Sequence, residues 1–203
     1  GHHMSTIEGG MVCTNDKKLN NILLSIRSHG WIRNYENKEK RKIEKKLKIS
    51  NFQSFFTFIF SGFNVRPTEI NAFLGLEQLK KINTYSKIRE LNFINYKKLL
   101  TKFYNVECET NLLSNFGYAT LVKNRDAVYK YLKRKKIESR PIIAGNIAKQ
   151  PFWIKKHKTH KLKNADTIHK YGIYLPNHPK LSRNDINFIT KTFKKIAKPI
   201  FFK

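Results

Sequence analysis

Pro67 is followed by no other proline until well past residue 103, and that interval carries apolar side chains at helical spacing. Ile70, Phe73, Leu74, Leu76, Leu79 and Ile82 form one stripe, which Ile88, Leu91, Ile94 and Leu99 continue. Steps of three and four residues bring side chains onto one helix face. Pro67 suits a first turn, where its missing N–H leaves nothing unpaired. A helix this long exceeds the usual globular span and serves two structural units. The chain is therefore expected to divide. Residues 1–82 form one part with the first stretch of the helix, and residues 83–203 hold the rest of the helix and a small α+β domain. Gly75 lies inside the stripe, where close packing is expected.

The flanks carry weaker signals. Residues 9–14 read as a strand entered through the Gly9-Gly10 turn. Asn15-Asp16 offers an N-cap to an apolar stripe at Leu19, Ile22, Leu23, Leu24 and Ile26, and a stop is expected near His29-Gly30. Residues 34–50 are polar and lysine-rich, a mobile connection or a charged helix. Residues 52–63 are the densest apolar run, expected as buried core or an interface. Further on, residues 116–122, 137–143 and 172–175 read as strands, and 124–135 and 182–197 as helices. Ser182 and Asp185 resemble a capping box. Together these make an α+β unit of about 100 residues, an ordinary size for a small domain.

The 203 residues include 41 Lys+Arg against 14 Asp+Glu, a formal charge of +27. Such a charge raises binding to nucleic acid or an anionic surface. The distribution argues against nucleic acid. Lysines are spread over most segments with Asn and Ile, and aromatics cluster in apolar runs instead of alternating with cations as on a single-strand platform. No apolar run approaches the roughly 20 residues of a membrane span, and no secretory pattern is visible. Cys13 and Cys108 are too far apart in sequence to suggest a disulfide framework or a CxxC metal site, which fits a reducing cytoplasm. His157, His160, His169 and His178 lack metal-ligand spacing.

Several motifs in order carry a resemblance. They are residues 1–16, from Gly1-His2-His3-Met4 through Glu8-Gly9-Gly10 to Asn15-Asp16, then Arg27-Ser28-His29-Gly30-Trp31, and Gly62-Phe63-Asn64-Val65-Arg66-Pro67-Thr68-Glu69 with Gly75-Leu76-Glu77-Gln78. Glu138-Ser139-Arg140-Pro141, Ala144-Gly145-Asn146 and Gln150-Pro151 complete the set. The chain resembles the DegT/DnrJ/EryC1/StrS sugar aminotransferase family over nearly its whole length. The resemblance implies an α/β protein: the C-terminal part of a type I PLP-dependent transferase fold, with the end of the large domain, a long connecting helix and a small α+β domain. The preceding part of that fold would supply the partner of the pyridine nitrogen, the ring-stacking group and part of the phosphate site.

Where the family's aminotransferases keep a lysine that holds the cofactor covalently, this sequence has His2. Histidine cannot hold pyridoxal phosphate that way, but its pKa of about 6.5 suits proton transfer. A histidine there resembles the 3-dehydratases of deoxysugar biosynthesis, which remove a hydroxyl instead of installing an amine. The implied cofactor is pyridoxal 5'-phosphate, used as pyridoxamine 5'-phosphate, and the substrate a nucleotide-linked 4-keto-6-deoxyhexose. One type takes its amino group from L-glutamate and releases ammonia, acting on GDP-4-keto-6-deoxy-D-mannose on the colitose route of O-antigen synthesis. The other carries an iron–sulfur cluster. Residues 31–50 contain no cysteine, and two cysteines cannot build such a site. The glutamate-dependent type without a cluster is therefore expected.

By the same resemblance, Arg33 and Arg140 would bind the glutamate carboxylates or the sugar, with Glu138 beside them; guanidinium forks suit carboxylates. Asn64 and Arg66 would reach the cofactor phosphate of the other subunit, which implies a homodimer. Asn64 has a second reading, as the cap of the turn before the long helix. His29 reads as a helix-end hydrogen-bonding residue, His3 as structural. Two other functions stay open: a sugar aminotransferase, and a basic nucleic-acid-binding module.

Overall fold

A computed structural model describes residues 3–105, 113–158 and 160–200. The chain forms two compact units, His3–Gln78 and Leu79–Lys203, whose boundary falls inside one helix.

The first unit is helical. Helix α1 (Lys17–Ile26) starts at Asp16, whose carboxylate accepts hydrogen bonds from the Lys18 and Leu19 amides at 2.8 and 3.1 Å. This satisfies two of the four amides a helix start leaves unpaired. The chain then turns through His29 and Gly30, both at positive φ. The lysine-rich stretch is a charged helix, α2 (Asn37–Leu47), braced by Lys42–Glu39 at 2.7 Å and Lys40–Glu44 at 3.8 Å. A single turn, α3 (Asn51–Ser54), is fixed by a Ser50–Gln53 capping box. The long helix α4 (Glu69–Leu99) begins behind Pro67. Its first turn is capped by Thr68 and Asn71, whose groups bond reciprocally.

One expectation fails in this unit, and a second loses one of its two alternatives. Residues 9–14 form no strand, because a strand needs a neighbouring ladder and none of the described residues supplies one; Met11 and Val12 are exposed. Of the two readings for the run 52–63, buried core fails, with Phe52 85% and Phe56 70% exposed; exposed rings are what the interface reading requires. Gly75, as expected, is a place of close packing. A Cβ there would lie 3.1 Å from the Thr6 methyl. The neighbouring segment is tied to α4 by amide side chains. The Ser5 N–H donates to Gln78 Oε1 at 2.8 Å, Gln78 Nε2 donates to the Ser5 carbonyl, and Asn71 Nδ2 donates to the Thr6 carbonyl.

The second unit is an antiparallel sheet covered by helices. Strands β1 (Gly117–Leu121), β2 (Arg140–Pro141) and β3 (Gly172–Pro176) lie in the order β1-β3-β2, with Ala119 opposite Tyr174 and Arg140 opposite the same Tyr174. Helix α5 (Arg125–Arg134) follows β1, and α6 (Pro151–Ile154) and α7 (Lys163–Tyr171) precede β3. Helix α8 (Arg183–Lys194) opens with the expected Ser182–Asp185 capping box. Strand β2 is shorter than residues 137–143, since Pro141 has no N–H to give a ladder and the Ile142 carbonyl closes a turn with the Gly145 amide at 2.7 Å.

The core joins Val128 and Leu132 of α5, Ile186, Ile189 and Phe193 of α8, Tyr118, Ile173 and Leu175 of the sheet, Phe93 and Tyr96 of α4, and Leu100 just after it. The inward face of α4 differs from the apolar stripe read in the sequence. Ser86, Arg89, Asn92, Phe93 and Tyr96 are buried, while Leu91 is 61% exposed. Tyr96 turns inward because its ring stacks on Tyr118 at 4.8 Å and its hydroxyl donates to the Pro176 carbonyl at 2.7 Å. Asn177, also buried, donates to the carbonyls of Arg89 and Asn115 at 3.1 and 2.7 Å.

Candidate functional site

Two segments of the first unit cross at a pair of glycines. The His29 amide donates to the Phe63 carbonyl at 2.7 Å, the Phe63 amide to the Ile26 carbonyl at 2.7 Å, and the Val65 amide to the Arg27 carbonyl at 3.1 Å. Beyond the crossing, the Ile59 amide donates to the Gly30 carbonyl at 2.9 Å. Ser28 thereby sits opposite Asn64, and Trp31 opposite Phe58. Only glycine fits at the crossing. Gly30 has φ +88°, and a Cβ on it would fall 1.9 Å from the Phe60 carbonyl oxygen.

The crossing brings Arg33 and Arg66 to one ring. The guanidinium carbon of Arg33 lies 4.1 Å from the centre of the Trp31 indole, and that of Arg66 lies 5.7 Å from it. Both side chains are exposed, as is Asn64. Neither guanidinium forms an ion pair with a described residue. Trp31 is held in turn by His29, Phe56 and Phe58, with ring centres 5.0, 6.1 and 5.7 Å away. This donor set (two unpaired guanidiniums and a carboxamide) suits a phosphate or carboxylate, so the residues fit the anionic groups of pyridoxal phosphate and an amino acid. Sequence reasoning missed Trp31; its place two residues before Arg33 was the available signal.

Arg140 and Glu138 lie in the second unit and form an exposed pair. Arg140 Nε and Nη2 both donate to Glu138 Oε1, at 2.9 and 2.5 Å. Arg140 is set at the sheet edge by its register with Tyr174. His2 lies outside the described residues, as does Cys108. The segment just after His2 is fixed by the Ser5 and Thr6 bonds to α4 described above. His29 is a turn residue, as expected.

A cleft of about 510 Å³ in the second unit is lined by Lys123, Arg125, Lys149, Asp166, His169 and Lys170 among others, and by none of the candidate residues. Much of its charge is paired internally, Lys149 with Asp166 at 2.7 Å and Arg125 with Asp126 at 3.3 Å. The described residues hold no cluster of potential metal ligands and no helix long and apolar enough to cross a membrane.

These elements are those of a sugar aminotransferase-like protein, and the chain belongs to the DegT/DnrJ/EryC1/StrS aminotransferase family, whose profile matches residues 1–194. It is 36% identical over 187 residues to a GDP-4-keto-6-deoxy-D-mannose 3-dehydratase of Yersinia pseudotuberculosis, covering 87% of this chain and 47% of that protein. Its fold matches the E. coli GDP-4-keto-6-deoxy-D-mannose-3-dehydratase with bound hydrated PLP at a TM-score of 0.79 and 30% identity, covering 95% of this chain and 51% of the other. A GDP-4-keto-6-deoxymannose-3-dehydratase with a trapped PLP-glutamate geminal diamine matches at a TM-score of 0.78 and 30% identity, over 94% of this chain and 52% of the other. The chain thus spans about half the length of these relatives, and its fold is the corresponding half of a PLP-dependent aminotransferase fold.

Proposed function

We propose that the complete gene product containing this chain is a pyridoxal phosphate-dependent nucleotide-sugar 3-dehydratase. Its substrate is a GDP-linked 4-keto-6-deoxymannose, its amino donor L-glutamate, and one product ammonia. The observation that carries this reading is His2, which lies inside the segment the family matches and, by the resemblance, stands where the aminotransferases keep lysine. The similarity to dehydratases over most of the chain supports it.

When bound, the cofactor supplies a conjugated electron sink that lets a sugar hydroxyl leave. The protein's part is binding, orientation and proton transfer. His2 moves the proton at the C4′ carbon of the cofactor, a task suited to a group that titrates near neutrality. It cannot hold the cofactor covalently, so the cofactor depends on non-covalent contacts. Asn64 and Arg66 donate to its phosphate across a homodimer interface. Arg33 and Arg140 take the glutamate carboxylates or the sugar, with Glu138 beside Arg140. The enzyme works in the cytoplasm.

The test is the product formed from GDP-4-keto-6-deoxymannose and glutamate. Ammonia release with a 3-deoxy sugar supports the reading. A stable amino sugar identifies an aminotransferase and overturns it. The His2→Asn variant should lose ammonia release while still binding pyridoxal phosphate.

A further inference from the structure

We infer that Trp31 is a positioning residue, one plate that orients both guanidiniums of the site, so that contact with the cofactor phosphate and with the substrate carboxylate depend on a single ring. The inference rests on the proposed function, with Arg33 taken as the partner of a glutamate carboxylate and Arg66 of the cofactor phosphate. Its own basis is geometric. Both guanidinium carbons lie within the roughly 6 Å at which a cation is held by an indole face, at 4.1 and 5.7 Å. Trp31 is the only ring among the described residues with two arginines against it.

The arrangement is unfavourable for the arginines alone. Two like charges gather at one ring, and no described acid pairs with either of them. An exposed arginine otherwise samples many rotamers, and holding it costs entropy. The ring offsets that cost only if it does not move itself. Trp31 is fixed by three aromatic neighbours and by the backbone of the glycine crossing, where the Trp31 amide donates to the Ser28 carbonyl at 3.2 Å. The indole is therefore a rigid support, and the two cations spread from it are left with free N–H groups for anions. Arg33 follows Trp31 closely in sequence. Arg66 reaches it only because the Gly30–Gly62 crossing brings residues 64–66 alongside residues 27–31.

A residue of this kind has a distinctive signature. Losing Arg33 should weaken the amino donor alone, and losing Arg66 the cofactor alone. Losing Trp31 should weaken both. In the complete gene product, KM for L-glutamate and Kd for pyridoxal phosphate are measured for wild type, Trp31→Phe and Trp31→Leu, with kcat at saturation and circular dichroism as a check on folding. Trp31→Leu is expected to raise both constants by about tenfold and to change kcat less; Trp31→Phe, which keeps a smaller face, by about two- to threefold. If Trp31→Leu does not fold, Trp31→Phe carries the test. A rise in one constant alone, no rise in either, or a phenylalanine variant no better than leucine overturns the assignment while the proposed function stands. A wild-type protein that binds neither ligand overturns the proposed function and this assignment with it.

Discussion

A Cβ on Gly62 would come within 2.3 Å of the Gly30 backbone nitrogen. The two segments that carry Trp31 and Arg33 on one side, and Asn64 and Arg66 on the other, approach at van der Waals distance through bare backbone. Gly30→Ala meets a second obstacle, the Phe60 carbonyl, at a φ that alanine adopts poorly. This variant should destabilise the first unit by about 2–4 kcal/mol. Urea unfolding followed by tryptophan fluorescence checks it, and an unchanged midpoint would show that the crossing relaxes freely.

Gln78 holds Ser5 by both its backbone groups. Gln78→Ala should free that segment while leaving α4 intact, since alanine is the better helix former. Amide exchange at Ser5 should quicken by about tenfold, the loss of one to two hydrogen bonds. If His2 acts where proposed, kcat should fall more than KM rises, because the loosened segment is the one that follows the proton-transfer residue.

Glu138 occupies the Nε and Nη2 side of Arg140. A substrate carboxylate must share or displace it. Glu138→Gln keeps the shape and removes the competing charge, so KM for glutamate should fall by about two- to fivefold. A rise in KM would mean that Glu138 orients Arg140 instead of competing for it.

The Asp166 carboxyl is held below the usual carboxylate range, first by the hydrogen bond from the Lys149 ammonium and then by that from Asn146. Its folded pKa lies below the unfolded value of about 3.9. The stability it contributes is present above that value and is lost as pH falls through the folded pKa. Unfolding midpoints between about pH 5 and about pH 2 should decline more steeply in wild type than in Asp166→Asn. Equal slopes would show that Lys149 does not hold this carboxylate in solution.

Features set by neighbouring residues were legible in the sequence. Asp16 caps α1, Ser182 and Asp185 box α8, and the stretch behind Pro67 is one helix as far as Leu99, because each depends on contacts within a turn or two. Features set by distant partners were not. Residues 9–14 have strand character but no adjacent ladder. The α4 face was misread because Asn92 and Tyr96 turn inward, Asn92 to the His178 carbonyl and Tyr96 to Tyr118 and the Pro176 carbonyl, which lie far along the chain. The site divides in the same way. Arg33, Asn64 and Arg66 were visible as motif residues, but the meeting of Arg33 and Arg66 at Trp31 depends on a backbone crossing that no local pattern announces.

The strand order β1-β3-β2 also bears on how the protein is made. The central strand is the last to leave the ribosome. Until Gly172–Pro176 emerges, neither Gly117–Leu121 nor Arg140–Pro141 has its sheet neighbour. Loops between pairing strands must close before any ladder bond forms, which slows assembly. The sheet of the second unit thus forms only after residue 176 has emerged, and a premature stop before residue 172 leaves β1 and β2 without the strand that joins them.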